Sequence, residues 1–197
     1  MNPAAPRTKG RRTFVAVPLP PSIRRALFDA CADLERSLPG VKWSRKIENF
    51  HVTLKFLGRI ADDRVLDDIA TGLSSALGAL PAFPVGVRGA GAFPTARLAN
   101  VIWAGVDDPT GGLARIARVV TSLTEPFVTA QEDVRPFRAH VTLGRSKTGA
   151  DARAALEAMS GRVFGRFTVD EVHVYESLRG PDGSTYLARS RARFDRE

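Results

Sequence analysis

Apolar and polar positions alternate strictly at two places, and both spell the same run: His51-Val52-Thr53-Leu54 and His140-Val141-Thr142-Leu143. Period-two alternation marks a half-buried strand, so Val52 and Leu54 point one way while His51 and Thr53 point the other. Phe50 and Phe56 extend the apolar side of the first run, and Ala139 that of the second. Upstream, residues 13–17 read as a strand, ended by Pro18, Pro20 and Pro21, which open a helix. Ser22 is placed to cap that helix, its apolar stripe is Ile23, Leu27, Cys31, Leu34 and Leu38, and Pro39-Gly40 stops it. A second helix over residues 62–80 turns Val65, Leu66, Ile69, Leu73, Ala76 and Leu77 inward, and a Gly-interrupted strand over 83–93 closes at Pro94.

The order then repeats. A strand over 98–106, apolar on both faces, leads through Asp107, Asp108, Pro109 and Gly111-Gly112 into a helix carrying Leu113, Ile116, Ala117, Val120 and Leu123. A polar loop with Arg135-Pro136 precedes the second His strand, which ends near Gly144; a helix over 152–159 and a strand over 164–175 follow. Gly180 and Asp182-Gly183 mark a turn before a last strand over 186–194. Each half thus reads β-α-β-α-β with its His strand in the middle, an internal duplication. The fold class expected is α+β and bilobal, with mainly antiparallel sheets around a central cleft and helices outside. Residues 1–11 read as a flexible basic arm and 12–197 as a single domain, with half-units about 12–94 and 95–178 and a closing strand about 184–194.

Composition narrows the setting. With 197 residues, 44% hydrophobic and 25% charged, the chain has the make-up of an ordinary soluble domain. No apolar run nears the roughly 20 residues that span a bilayer, and the N-terminus lacks a signal-peptide core, so the expectation is a cytoplasmic monomer with no membrane contact. Cys31, the single cysteine, forms no internal disulfide and lies on the apolar side of its helix. A net charge of +8 favours a polyanionic partner. The N-terminal stretch 1–12, with its four basic residues Arg7, Lys9, Arg11 and Arg12, is either an RNA contact or a solubilising tail.

Two imidazoles on facing strands suit general acid–base catalysis, because one neutral and one protonated copy supply base and acid at once. Each Thr, two residues on along the same face, donates a hydroxyl to an anionic oxygen without adding charge. Phosphate fits such a site, since its displacement relies on positioning and electrostatics, with a proton removed on one side and supplied on the other. Lys55 shares the expected face of His51 and is a candidate to steer phosphate; Trp43 is a candidate to stack on a base, whereas Phe56 has the parity of core. His173, flanked by Val172 and Val174 with no Thr two residues on, reads as structural. Three His and one Cys without short ligand spacing do not make a zinc motif, and no Gly-rich phosphate loop points to ATP.

The chain resembles the RNA 2′,3′-cyclic phosphodiesterases, also called 2′-5′ RNA ligases, of the two-histidine phosphoesterase superfamily. The resemblance runs from Arg12-Thr13-Phe14-Val15-Ala16 through Asn49-Phe50-His51-Val52-Thr53-Leu54-Lys55-Phe56-Leu57-Gly58 and Gly91-Ala92-Phe93-Pro94. It continues through Arg135-Pro136-Phe137-Arg138-Ala139-His140-Val141-Thr142-Leu143 to Tyr175-Glu176-Ser177. It implies that two similar lobes form a groove for the cyclic phosphate, with no metal and no cofactor. By motif position it implies that His51 protonates the 3′-oxygen leaving group, that His140 deprotonates the attacking water, and that a 2′-phosphate results. Thr53 and Thr142 would hold phosphate oxygens and Arg145 would add a charged contact. Read backwards, the same groups join a 5′-hydroxyl end to a cyclic phosphate in a 2′-5′ linkage. The residues alone do not say which imidazole is acid and which is base. They also leave open the same chemistry on a small cyclic nucleotide or a cyclic ADP-ribose phosphate, and a non-catalytic module that binds RNA ends.

Overall fold

The computed structural model describes residues 10–128, 136–181 and 183–195. The basic arm up to residue 9 and the Arg135 end of the polar loop lie outside the described residues. The elements run β1 (Arg11–Pro18), α1 (Pro21–Glu35), β2 (Lys42–Trp43), β3 (His51–Ile60), α2 (Asp63–Gly78), β4 (Phe83–Pro94), β5 (Ala99–Asp107) and α3 (Gly112–Thr124). They continue with β6 (His140–Arg145), α4 (Arg153–Ala158), β7 (Val163–Val169), β8 (Glu171–Gly180) and β9 (Gly183–Arg193). Short 3-10 turns at Ile47–Asn49 and Glu125–Phe127 complete the order. β1 begins at Arg11, so Arg11 belongs to the sheet and not to the arm.

One antiparallel sheet holds all of these strands, in the order β7-β4-β5-β6-β3-β1-β8-β9, with β2 added alongside β6. The order is symmetric about the β6–β3 join, with β5 and β1, β4 and β8, and β7 and β9 in matching places. The two sequence repeats do not form separate bodies. β4 closes the first repeat yet pairs with β5 of the second, while β8 of the second pairs with β1 of the first. The cause is local: β4 and β5 are joined by a short turn, and consecutive antiparallel strands pair as a hairpin. Each lobe therefore draws strands from both repeats, which corrects the half-units 12–94 and 95–178 as spatial units.

The helices cover one face of the sheet. Ile23, Leu27, Cys31 and Leu34 of α1, Leu66, Ile69, Leu73 and Leu77 of α2, and Leu113, Ile116 and Val120 of α3 join Val15, Val17, Val52, Val141 and Leu143 in one core. The apolar stripes are those of the sequence pattern, but the caps are not all so. Helix α1 starts on Pro20 and Pro21 without a side-chain cap, so Ser22 does not cap it. Asp62 caps α2 by accepting from the Arg64 amide at 2.9 Å, and Asp108 accepts from the amides of Gly112 and Leu113 at the start of α3. The strand expected over 164–175 is two strands, broken at Asp170, with β7 at one end of the sheet and β8 next to the other end. No helix among the described residues is long and apolar enough to cross a membrane.

Both His strands carry a bulge at the same motif position. In β3, Thr53 pairs with Ala16 and Lys55 with Val15, leaving Leu54 as the extra residue. In β6, Thr142 pairs with Trp103 and Gly144 with Ile102, leaving Leu143. A bulge reverses the alternation beyond it, so the residues after each motif swap faces. Gly144 is thereby turned into the core against Trp43 and Val41, where an added Cβ would lie 2.8 Å from either side chain. Gly144→Val is expected to cost about 1–3 kcal/mol by overpacking; chemical denaturation of the variant checks it, and a midpoint equal to that of the parent would refute this account of the bulge.

Candidate active site

Val52 and Val141 are partners across the β3–β6 join, and both are fully buried. Antiparallel pairing then sets His51 across from Thr142 and Thr53 across from His140, all four on the side away from the helices. The result is a square of two imidazoles and two hydroxyls, with the imidazoles on a diagonal. Their proximity is also electrostatic, since the charge of His140 acts on the titration of His51.

The two rings are held in the same way. His51 Nδ1 lies 2.7 Å from the carbonyl of Asn49, and His140 Nδ1 lies 2.7 Å from the carbonyl of Arg138. A carbonyl only accepts, so Nδ1 carries the hydrogen in both rings and Nε2 is the nitrogen that can gain or lose a proton. Nε2 of His51 is 2.9 Å from Thr53 Oγ1, which donates to it when the ring is neutral. Asn49 is itself tethered, donating from Nδ2 to the carbonyl of Ser184 in β9 at 2.7 Å. The carbonyl that orients His51 is thus anchored to another strand.

Aromatic rings wall each imidazole in matching geometry. Tyr186 stands edge-on to His51 with centroids 5.2 Å apart, and Phe93 stands edge-on to His140 at 5.1 Å. Phe14 lies 4.9 Å from His51 and Trp103 lies 6.2 Å from His140, each from the strand next to its His strand. The guanidinium of Arg138 sits 4.6 Å above the Trp103 ring. Burial among these rings is the largest influence on His51 and pushes it down to about 4, against the hydrogen bond to Asn49 that favours its charged form. His140, whenever it is protonated, and Arg145 push the same way as burial. At neutral pH His51 in the free protein is uncharged.

The bulges decide which other expected residues reach the site. Arg145 follows the Leu143 bulge, turns to the face of His140 and Thr142, and bears electrostatically on both His51 and Tyr186. Phe56 holds the equivalent position in β3. It pairs with Phe14 on the groove side and is 58% exposed, not packed in the core as its parity suggested. Lys55, opposite the core residue Val15, leaves the face of His51, so the expected phosphate-steering role loses its geometry. Trp43 is only 3% exposed and lies in the core beside Gly144, on the far side of the sheet; it is not placed to stack on a base. Its strand β2 pairs with β6, which the loop-like sequence around it did not announce.

Pattern reading missed Asn49, Arg138 and the aromatic walls. Asn49 and Arg138 stand two positions before their histidines, and that shared offset was the available signal. Phe14 and Trp103 sit in strands that are apolar on both faces, so alternation alone does not single them out. His173 accepts from the hydroxyl of Tyr175 at Nδ1 (3.0 Å) and donates from Nε2 to Glu171 (2.8 Å), with burial lowering its pKa. Among the described residues no three or more His, Cys, Asp or Glu side chains gather as a metal site.

Comparison with known proteins places the chain in a family. Residues 19–181 match the model of the 2′-5′ RNA ligase superfamily. The chain is 31% identical over 176 residues to the RNA 2′,3′-cyclic phosphodiesterase of Archaeoglobus fulgidus, spanning 89% of this chain and 96% of that one. It is 31% identical over 180 residues to the RNA 2′,3′-cyclic phosphodiesterase of Methanothermobacter thermautotrophicus, spanning 89% and 94%. Among solved structures, TT0787 of Thermus thermophilus superposes with a TM-score of 0.76 at 26% identity, covering 92% of this chain and 97% of that one. Escherichia coli LigT in its apo form shares the fold, with a TM-score of 0.72 at 22% identity over 95% and 99%. A match that spans most of the sequence, with relatives similar from end to end, shows that the chain belongs to the 2′-5′ RNA ligase superfamily.

Proposed function

We propose that the protein hydrolyses RNA 2′,3′-cyclic phosphate ends to 2′-phosphomonoesters. The observation that carries this reading is the pair of His–Thr units set diagonally across the β3–β6 join, each imidazole with Nδ1 tied back and Nε2 turned to the groove. The names of the relatives support the substrate class. His140 takes a proton from water, the water oxygen attacks phosphorus, the bond to the 3′-oxygen breaks, and His51 gives its proton to that oxygen. The product carries a 2′-phosphate and a 3′-hydroxyl, and the two imidazoles exchange protons with solvent to reset. Thr53, Thr142 and Arg145 hold the phosphoryl oxygens, Arg145 supplying charge as they become more negative. A 5′-hydroxyl in place of water yields a 2′-5′ linkage by the same steps. Neither proton transfer is routed through a metal, and the reaction is expected to proceed in EDTA.

His51 is uncharged in the free protein near pH 7, yet the scheme asks it to donate a proton. The substrate resolves this, because an anion at the join opposes the positive charge of Arg145 and favours the imidazolium.

Replacing either histidine by alanine is expected to lower kcat/KM on the order of 10²–10⁴-fold. An oligonucleotide ending in a 2′,3′-cyclic phosphate, with product followed by phosphorus NMR, provides the assay; full activity in either variant would remove the mechanism. A second expectation concerns protons. Because burial and the neighbouring cations hold His51 at about 4 without an anion, anion binding raises its pKa, so protons are taken up above pH 4 and affinity increases as pH falls. Calorimetry with sulfate, which stays dianionic from pH 8 to 5, should show His51→Gln taking up fewer protons than the parent protein. Equal uptake would mean that His51 does not titrate with the anion.

A further inference from the structure

A cavity of about 500 Å³ opens on the groove side of the sheet immediately beside His51. Pro18, which pairs with His51 across β1 and β3, and Tyr186, which stands edge-on to the His51 ring, both line it. From there it extends over Tyr175 and His173 toward the start of α1 and the β7–β8 junction. Proton transfer at phosphorus uses neither this space nor the charged groups around it.

Its chemistry is mixed. The walls are apolar or aromatic, with Leu19, Phe167 and the two tyrosines. Arg24 and Arg191 bring donors, while Glu48, Asp170 and Glu171 bring acceptors. Arg24 Nε is buried with no hydrogen-bond partner among the described residues, a donor left for something else to satisfy. Three carboxylates against two guanidiniums do not attract a second phosphate. Aromatic side chains beside both donors and acceptors suit a neutral heteroaromatic ring.

Position supplies the rest. In-line displacement puts the attacking water and the leaving 3′-oxygen on opposite sides of phosphorus. If His51 protonates the leaving oxygen, the ribose bearing it lies on the His51 side, where the cavity opens. We infer that this cavity is the pocket for the base of the terminal nucleoside that carries the cyclic phosphate, an inference that rests on the hydrolase reading of the His–Thr pair. The tyrosine walls provide the stacking surface, and Arg24 and Arg191 meet the ring's acceptor edge. The RNA strand 5′ of that nucleoside leaves along the groove.

Calorimetry with two probes at one pH tests the pocket independently of turnover: adenosine 2′-monophosphate and inorganic phosphate. Burying and stacking one base should make the nucleotide bind roughly tenfold or more tightly than phosphate alone. Ala188 lines the cavity, and Ala188→Phe, which fills it, should erase most of that difference. Arg191→Ala, which leaves the volume open, should erase part of it and stands in if the bulky variant does not fold. Equal affinities for the two probes in the parent protein, or a difference that survives in the variants that fold, overturns the pocket. An affinity gap in a protein that turns over no cyclic phosphate supports the pocket and removes the hydrolase reading; turnover without a gap removes the pocket and leaves that reading intact.

Discussion

The site depends on one buried contact, Val52 against Val141, where β3 and β6 pair. Everything else in the sheet could hold each lobe together, but this pair brings the lobes' histidines to a common face. The contact is apolar, fully shielded and backed by the helices, so its strength comes from burial and close packing rather than from a directional bond. A join of that kind fixes distance with no polar or charged side chain at the contact itself. The exchange of β4 and β8 between repeats reinforces it, because neither lobe is made from one continuous stretch of chain.

A perfectly symmetric pair of motifs has no reason to assign acid and base to particular copies. The symmetry ends at the bulges. Five positions beyond each histidine, the reversed alternation presents Arg145 in one lobe and Phe56 in the other. One side of the groove therefore gains a fixed positive charge where the other gains an exposed ring. The walls differ as well. Tyr186 and Phe14 flank His51, while Phe93, Trp103 and the stacked Arg138 flank His140. Two equal imidazoles thus sit in unequal surroundings, which acid and base roles require.

Most of the fold was legible because its cause is periodic. The stripes of Leu66, Ile69, Leu73 and Leu77, and the alternation in both His strands, report burial directly, and burial is what folds the chain. What escaped were features set by pairing between distant residues. Leu54 and Leu143 read as ordinary inward residues, and only their partners on β1 and β5 reveal them as bulges. That single blind spot misplaced Phe56 and Lys55 while leaving His51, Thr53, His140 and Thr142 correctly grouped, since those four precede the bulge. The break at Asp170 was hidden for a similar reason: two strands of like composition run on in sequence but part company in the sheet. Trp43 looked available because it stands among Lys42, Arg45 and Lys46, yet β2 pairs with β6 and turns its ring into the core.

The low pKa of His51 then ceases to be at odds with a proton donor. A depression from 6.5 to about 4 corresponds to about 3 kcal/mol favouring the neutral ring. Its causes are removal from water first, then the charge of His140 when that ring is protonated and the charge of Arg145. A bound anion changes neither the aromatic walls nor the hydrogen bond from Nδ1 to Asn49, but it offsets the cationic field at the place where Nε2 points. The same groups that discourage protonation in the free protein therefore draw in the ligand that permits it. In the proposed scheme protonation becomes a consequence of occupancy, and Nε2, freed from accepting the Thr53 hydroxyl once it carries a proton, would face the oxygen that needs one. In the proposed scheme Thr53 is released in the same step to donate to phosphate, so one protonation event would ready both groups of the His–Thr unit.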